Sequence, residues 1–368
     1  MEFLIQDATL LRYQGNEPNV IVPDGIAAIG PLAFCACTNL ESVTFPDSLR
    51  IIGPGAFQNL RRLRSINLPD SIELICACAF CSCTSLKRIT LPKNLKCLGS
   101  YAFADSTGLL GTVRIPSGLQ HLLPYTFSRC WGIRNVILPD GISAIGCGAF
   151  AKCDNLLGVE MPDSVVEIGK AAFYRCYNLS GMRIPNGVTK LPASLFSNCT
   201  SLVHVGMPNS LMEIGESAFK LCVSLESVRI PEGVTRIGAH AFKTCSNLVC
   251  ADIPNSVEEI GDEAFKGCKR LSNARIPDSI KRIGAQAFAA VPDFEGMGRI
   301  PALTKTDIGT TKEQPMATHE NPCLSCGIWQ RYRRSSNRDN ATVMNASHPT
   351  FSAGWCEHLM SGTQAAYV

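Results

Sequence analysis

Prolines punctuate this chain at a fixed interval, and that interval limits what it can fold into. They fall at Pro23, Pro46, Pro69, Pro92, Pro116, Pro139, Pro162, Pro185, Pro208, Pro231, Pro254, Pro277 and Pro301, with ten of the twelve steps 23 residues long and two of 24. Eleven residues after each of the first twelve lies a phenylalanine, from Phe34 and Phe57 through to Phe265 and Phe288. A period of a few tens of residues marks a solenoid. Each unit is one supersecondary piece that buries its apolar side only against its neighbours, so stability is close to a sum over adjacent pairs.

Other columns share the period. An aliphatic residue precedes most of the prolines, with Phe45, Met161 and Met207 as the exceptions. Ile, Leu or Val stands three after Pro, and Ile or Leu six after, usually followed by Gly as in Ile29-Gly30 and Ile283-Gly284. Seventeen after Pro is Leu in ten units. The segment before Pro alternates apolar and polar, which predicts a strand with one buried face. Pro followed by Asp-Ser, Asp-Gly or Asn-Gly turns the chain. A second short extended or turned segment follows, with Gly where a side chain would obstruct. The A-F-x-x-C-x-x-L stretch has apolar residues three and four apart and predicts a short helix or turn. The expected class is an α/β repeat solenoid, a horseshoe with a parallel sheet on its concave face and short helices or turns on its convex face.

The unit I-P-[DNE]-[SG]-V-x-x-I-G-x-x-A-F-x-x-C-x-x-L resembles the BspA-like, or Treponema pallidum-type, leucine-rich repeat. Met161 to Cys176 and Ile253 to Cys268 each spell it out. The resemblance covers residues 3–301 and implies a right-handed solenoid used for protein–protein or cell–cell recognition, with no activity attached, because fold does not fix function. Residues 1–22 read as an N-terminal capping unit, 23–301 as twelve repeats, and 302–368 as a polar, flexible tail rich in Thr, Asn, Ser, Arg and His. Some units depart from the pattern. Leu123 and Thr126 replace Gly and Ala in the fifth repeat, Pro192 and Leu195 do so in the eighth, and the fourth carries one extra residue between Leu109 and Val113.

The chain has 19 cysteines, and nine of them (Cys37, Cys83, Cys130, Cys153, Cys176, Cys199, Cys222, Cys245 and Cys268) stand fourteen residues after Pro. One thiol per repeat suits a small residue packed beneath the phenylalanines. A zinc site needs clustered pairs from opposed loops instead. A tighter group, Cys35 and Cys37 with Cys76, Cys78, Cys81 and Cys83, places alternating thiols along one edge and is expected to hold reduced structural or surface thiols, with metal or redox chemistry as the other reading.

The binding face is expected on the sheet, at positions two and four before each Pro, which point away from the core. Arg88, Arg114, Arg183, Arg229, Arg275 and Arg299 recur there among small polar residues, together with Glu160, His204 and Asp252. Guanidinium groups suit bidentate contacts with carboxylates, so the expected partner is a protein with an acidic surface. The other reading is that these arginines only keep the sheet face soluble. A formal charge of +3 over 368 residues gives no ground for nucleic acid or a membrane surface.

In the tail, Cys323 and Cys326 supply half a tetrahedral zinc set, with Cys356 and His358 as an irregular second half; no metal or other cofactor is assigned on that basis. Trp329 to Arg334 is basic and aromatic but too short a run to indicate nucleic acid. Phosphate-loop, nucleophile-elbow and H-E-x-x-H signatures are lacking, and the six histidines form no nucleophile–base pattern. The expected function is a non-catalytic protein-binding scaffold. The alternatives are a cell-surface adhesion or structural protein, or a zinc- or redox-linked regulator. Nothing at Met1 to Asp7 has the form of a secretory leader and no stretch is apolar enough to span a bilayer, so the expected location is intracellular, or the cell surface if a leader precedes Met1.

Overall fold

A computed structural model describes residues 2–292. Through them the chain winds as stacked coils, one per repeat, and the segment before each proline forms a parallel ladder with the same segment of the next coil. Asn19–Ile21, Ser42–Thr44 and Ser65–Asn67 pair in this way, with Val20 opposite Val43 and Val43 opposite Ile66. The ladder is interrupted at 88–90. It resumes as Gly111–Arg114, Ile133–Ile137 and Gly158–Glu160, then Gly181–Arg183 with His204–Gly206, then Ser227–Arg229, Cys250–Asp252 and Asn273–Ala274. The middle residue of a three-residue strand faces the core, as at Val43 and Val228, and its two neighbours face outward. That is the alternation the sequence carries.

Five and six residues after each proline a second, two-residue strand builds another parallel ladder, with Ile29 opposite Ile52 and Ile52 opposite Ile75. The glycine after it allows the coils to approach. A Cβ added to Gly261 would lie 2.4 Å from the Ala239 amide nitrogen.

The short helices expected on the other side do not form: the described residues contain no helix. Residues nine and thirteen after Pro take the left-handed backbone instead, for example Cys78 (φ 57°) and Ser82 (φ 61°), or Tyr101 (φ 59°) and Asp105 (φ 58°). A right-handed helix therefore breaks every four residues. The amides of Cys78, Phe80 and Ser82 donate to the carbonyls of Ser100, Ala102 and Ala104 in the next coil at 3.0, 2.7 and 2.8 Å. Those of Ala79, Cys81 and Cys83 donate back three residues within their own turn. A helix would keep all its bonds inside one coil and leave the edges of the stack unjoined. Left-handed backbone costs a non-glycine residue about 1–2 kcal/mol, and the bonds between coils together with the aromatic burial beneath them offset that cost.

The phenylalanines are buried between these layers. Eleven of them, Phe34 to Phe265, are less than 2% exposed, and Phe288 in the last described coil is 6% exposed. Their rings stack nearly parallel. Phe57 and Phe80 lie 5.2 Å apart at 6°, Phe127 and Phe150 5.9 Å at 1°, and Phe242 and Phe265 5.1 Å at 11°. At the N-terminus Phe3–Gln6 pairs antiparallel with Thr9–Tyr13 through Asp7 and Ala8, both at positive φ as a tight hairpin requires. Tyr13 heads the aromatic column, 5.0 Å from Phe3 and 5.5 Å from Phe34, while Thr9 and Leu10 extend the second ladder over Ala28 and Ile29.

The extra residue of the fourth repeat is absorbed at Gly111, whose φ of +82° accompanies a register shift between Gly111 and Thr112. This bulge and the interruption at 88–90 leave a depression of about 380 Å³ lined by Arg88, Thr90, Leu110 and Thr112.

Two outcomes follow for stability. Phe173→Ala, in mid-stack, is expected to cost about 3–5 kcal/mol, and Phe288→Ala measurably less. Gly261→Ala should cost about 1–3 kcal/mol by forcing two backbones apart, whereas Gly158→Ala, whose Cβ meets nothing nearer than 3.9 Å, should cost far less. Urea unfolding of the four variants checks both orders.

Candidate functional site

The sheet residues singled out from the sequence come out as one exposed row. Arg88, Arg114, Glu160, Arg183, His204, Arg229, Asp252 and Arg275 are all exposed, because strand parity turns them away from the core. Arg299 lies outside the described residues.

Not all of these charges are equally available. Arg183 pairs with Asp163 at 2.9 Å and Arg229 approaches Asp252 at 3.9 Å, in contacts exposed enough to contribute little to stability. Arg88, Arg114 and Arg275 make no ion pair among the described residues. The His204 ring folds over Gly181, where an added Cβ would meet it at 2.4 Å. Around it Asn135, Val159, Glu160, Arg183 and His204 line an open depression of about 320 Å³. The face thus presents unpaired guanidinium groups toward both ends and a paired, mixed-charge hollow in the middle.

The cysteine column lies inside. The Cys83, Cys153, Cys176 and Cys245 thiols donate to the carbonyls of Phe57, Phe127, Phe150 and Phe219 at 3.1–3.2 Å. Each such carbonyl belongs to the preceding coil. Ser106 replaces cysteine in the fourth repeat and its hydroxyl does the same to Phe80 at 2.8 Å. Burial pushes these thiols up, Cys153, Cys199 and Cys268 to about 12, so they stay protonated as donors. The packing role expected of the column therefore includes a hydrogen bond that apolar spacing did not reveal; the serine at position 106 was the sequence signal for it. The described cysteines form no disulfide, and the described residues hold no group of three or more His, Cys, Asp or Glu arranged to take a metal ion. Cys323, Cys326, Cys356 and His358 lie outside the described residues.

Opposite the sheet, the turn face carries a charge cluster that sequence reasoning missed, since its members are spread over two coils. Glu263 accepts from Lys266 at 2.6 Å and from Lys243, with His240 3.3 Å away. Partial burial alone would raise the Glu263 carboxyl, but hydrogen bonds from Lys243 and Lys266 and their charge outweigh it and hold it at about 2. His240 is shifted down by burial and then by Lys243.

A family model described as the BspA type leucine-rich repeat region matches in six copies, over residues 11–133, 122–249 and 247–297. The chain belongs to the BspA-type leucine-rich repeat family. Among solved structures this BspA-type chain is similar to a leucine-rich repeat protein from Bacteroides ovatus, at 29% identity and TM-score 0.57 over 78% of this chain and 88% of that one. It is also similar to a leucine-rich repeat protein from Eubacterium ventriosum, at 18% identity and TM-score 0.51 over 80% and 90%. The leucine-rich repeat protein of T. pallidum aligns at 27% identity and TM-score 0.31 over 61% and 86%. No protein with a curated description matches. Among the described residues no helix is long and apolar enough to cross a membrane.

Glu263→Gln is expected to lower the melting temperature near neutral pH. With its folded pKa depressed, Glu263 contributes stability that is present above its ordinary pKa of 4.5 and is lost as pH falls through about 2. The difference between wild type and variant should therefore shrink over that window, as calorimetry from pH 7 to pH 2 would show.

Proposed function

We propose that this BspA-type protein is a non-catalytic scaffold whose pre-proline sheet face captures a protein partner with an acidic surface. The observation that carries this reading is the set of exposed guanidinium groups, Arg88, Arg114 and Arg275, that have no carboxylate partner among the described residues. A solenoid charge that serves only to solubilise has no reason to avoid the acids of neighbouring coils. Elsewhere on the stack such pairing is common, as between Lys96 and Glu73 at 2.6 Å or Lys190 and Glu213 at 2.9 Å.

The physics of such a face favours recognition over chemistry. Its hollows are shallow and open. Specificity arises instead from a rigid row of side chains spaced by the coil repeat, about 4.8 Å per strand. Ordered backbone costs a partner little additional entropy on binding, and spaced guanidinium groups read carboxylates in pairs. Glu160 and Asp252 interrupt the row and discriminate against partners that are acidic throughout.

The test is affinity capture from the cell of origin by wild type and by the triple variant Arg88→Ser, Arg114→Ser, Arg275→Ser. Capture by the variant is expected to fall at least tenfold and to lose much of its salt dependence, with the melting temperature unchanged. Undiminished capture by the variant overturns the arginine reading.

A further inference from the structure

The third coil places two thiols where no other described coil has a pair. Cys78 stands nine residues after Pro69 and Cys81 twelve after it. In the first coil the same two places hold Leu32 and Cys35. The Cys81 amide donates to the Cys78 carbonyl at 3.0 Å, closing a turn that brings the two Cα atoms within roughly 7 Å. Disulfides span Cα separations of about 4.4–6.8 Å. Between the two thiols, Ala79 and Phe80 are fully buried and anchor the turn. Cys78 is half-buried, Cys81 is 6% exposed, and the Cys78 thiol hydrogen-bonds to the Cys81 sulfur. The neighbouring Cys83 is committed elsewhere, donating to the Phe57 carbonyl at 3.1 Å.

We propose that Cys78 and Cys81 form a reversible dithiol–disulfide site on the turn face of the third coil, exchanging with low-molecular-weight disulfides of the glutathione type. The site is independent of the sheet-face reading and lies on a different surface.

The two sulfurs differ in a way that assigns their roles. Cys78 is the more accessible and takes the first step: its thiolate attacks the small disulfide RSSR, forming a mixed disulfide and releasing RS⁻, which takes up a proton as RSH. Cys81 is the resolving thiol. Cys81 is in place for this step because the turn holds it beside Cys78, and the Cys78 hydrogen bond that favours its thiolate in the free dithiol is not needed once Cys78 is in the mixed disulfide. The Cys81 thiolate attacks the Cys78 sulfur, forms the Cys78–Cys81 bond and expels the second RS⁻. In sum the two protein thiols lose two electrons and two protons, and RSSR becomes two RSH. The thiols of the buried column take no part, because burial keeps them protonated and out of reach.

The experiment uses the full chain and glutathione disulfide, followed by acid quench, alkylation and mass spectrometry. Trypsin releases residues 65–87 as one fragment containing Cys76, Cys78, Cys81 and Cys83. In the wild type this fragment should lose two hydrogens, regain them with dithiothreitol, and show the bond between Cys78 and Cys81 on fragmentation. Cys81→Ser should stop with one glutathione held on Cys78, Cys78→Ser should react at least tenfold more slowly, and Cys76→Ser should behave as wild type. A wild-type fragment that stays reduced, or a bond localised to any other pair, overturns the proposal. The wild-type localisation needs no variant to fold.

Discussion

The structure depends on two repeat distances that agree. Parallel strands pair at about 4.8 Å, and phenyl rings stack offset at about 4.5–7 Å between centroids. Here the rings stand 4.7–5.9 Å apart, so one coil rise satisfies both the backbone ladders and the aromatic column. Neither interaction needs to stretch to accommodate the other, and the remaining columns are fitted to the same rise. Serine two residues after Pro donates to a carbonyl of the coil below, as Ser71 does to Leu49 and Ser256 to Val234. Cysteine fourteen after Pro donates to a phenylalanine carbonyl. Small side chains with a donor sit where a carbonyl approaches, and glycine where backbone approaches.

Most of this arrangement is legible in the sequence because each inward position recurs twelve times. The strand before Pro, its parity and hence the exposure of Arg114 or Arg229 follow from alternation alone. The turn face was misread for a physical reason. Apolar residues three and four apart fit one face of a helix, and they fit equally a turn that takes left-handed backbone at two places per coil. Residues such as Tyr125, Arg129 and Lys152 at those places carry no local preference for positive φ. Asn59, Asn198, Asp105, His240 and the glycines at 55, 148 and 267 were the compositional hint.

The charges of the candidate face were legible only in part. Arg229 and Asp252 are one repeat apart, so their approach follows from the period. Arg183 and Asp163 are twenty residues apart and meet across the proline turn, which no column analysis aligns. The distinction between paired and unpaired arginines therefore needed coordinates, and it moves attention from the middle of the row toward Arg88, Arg114 and Arg275.

The interruption near the fourth coil has a mechanical meaning. The pre-proline ladder lapses at 88–90, and the second ladder stops at Cys97–Leu98 before restarting at His121–Leu122. On the far side Tyr101 and Phe103 still donate to Pro124 and Thr126 at 3.1 and 2.9 Å. The stack is therefore sewn along one seam at this level and loosened along the other two, as in a book held by its spine. Flexing there would splay the sheet rims while the aromatic side stays closed, and the described coils hold a second such joint, where the pre-proline ladder lapses between Gly158–Glu160 and Gly181–Arg183 and the second ladder between Glu167–Ile168 and Lys190–Leu191.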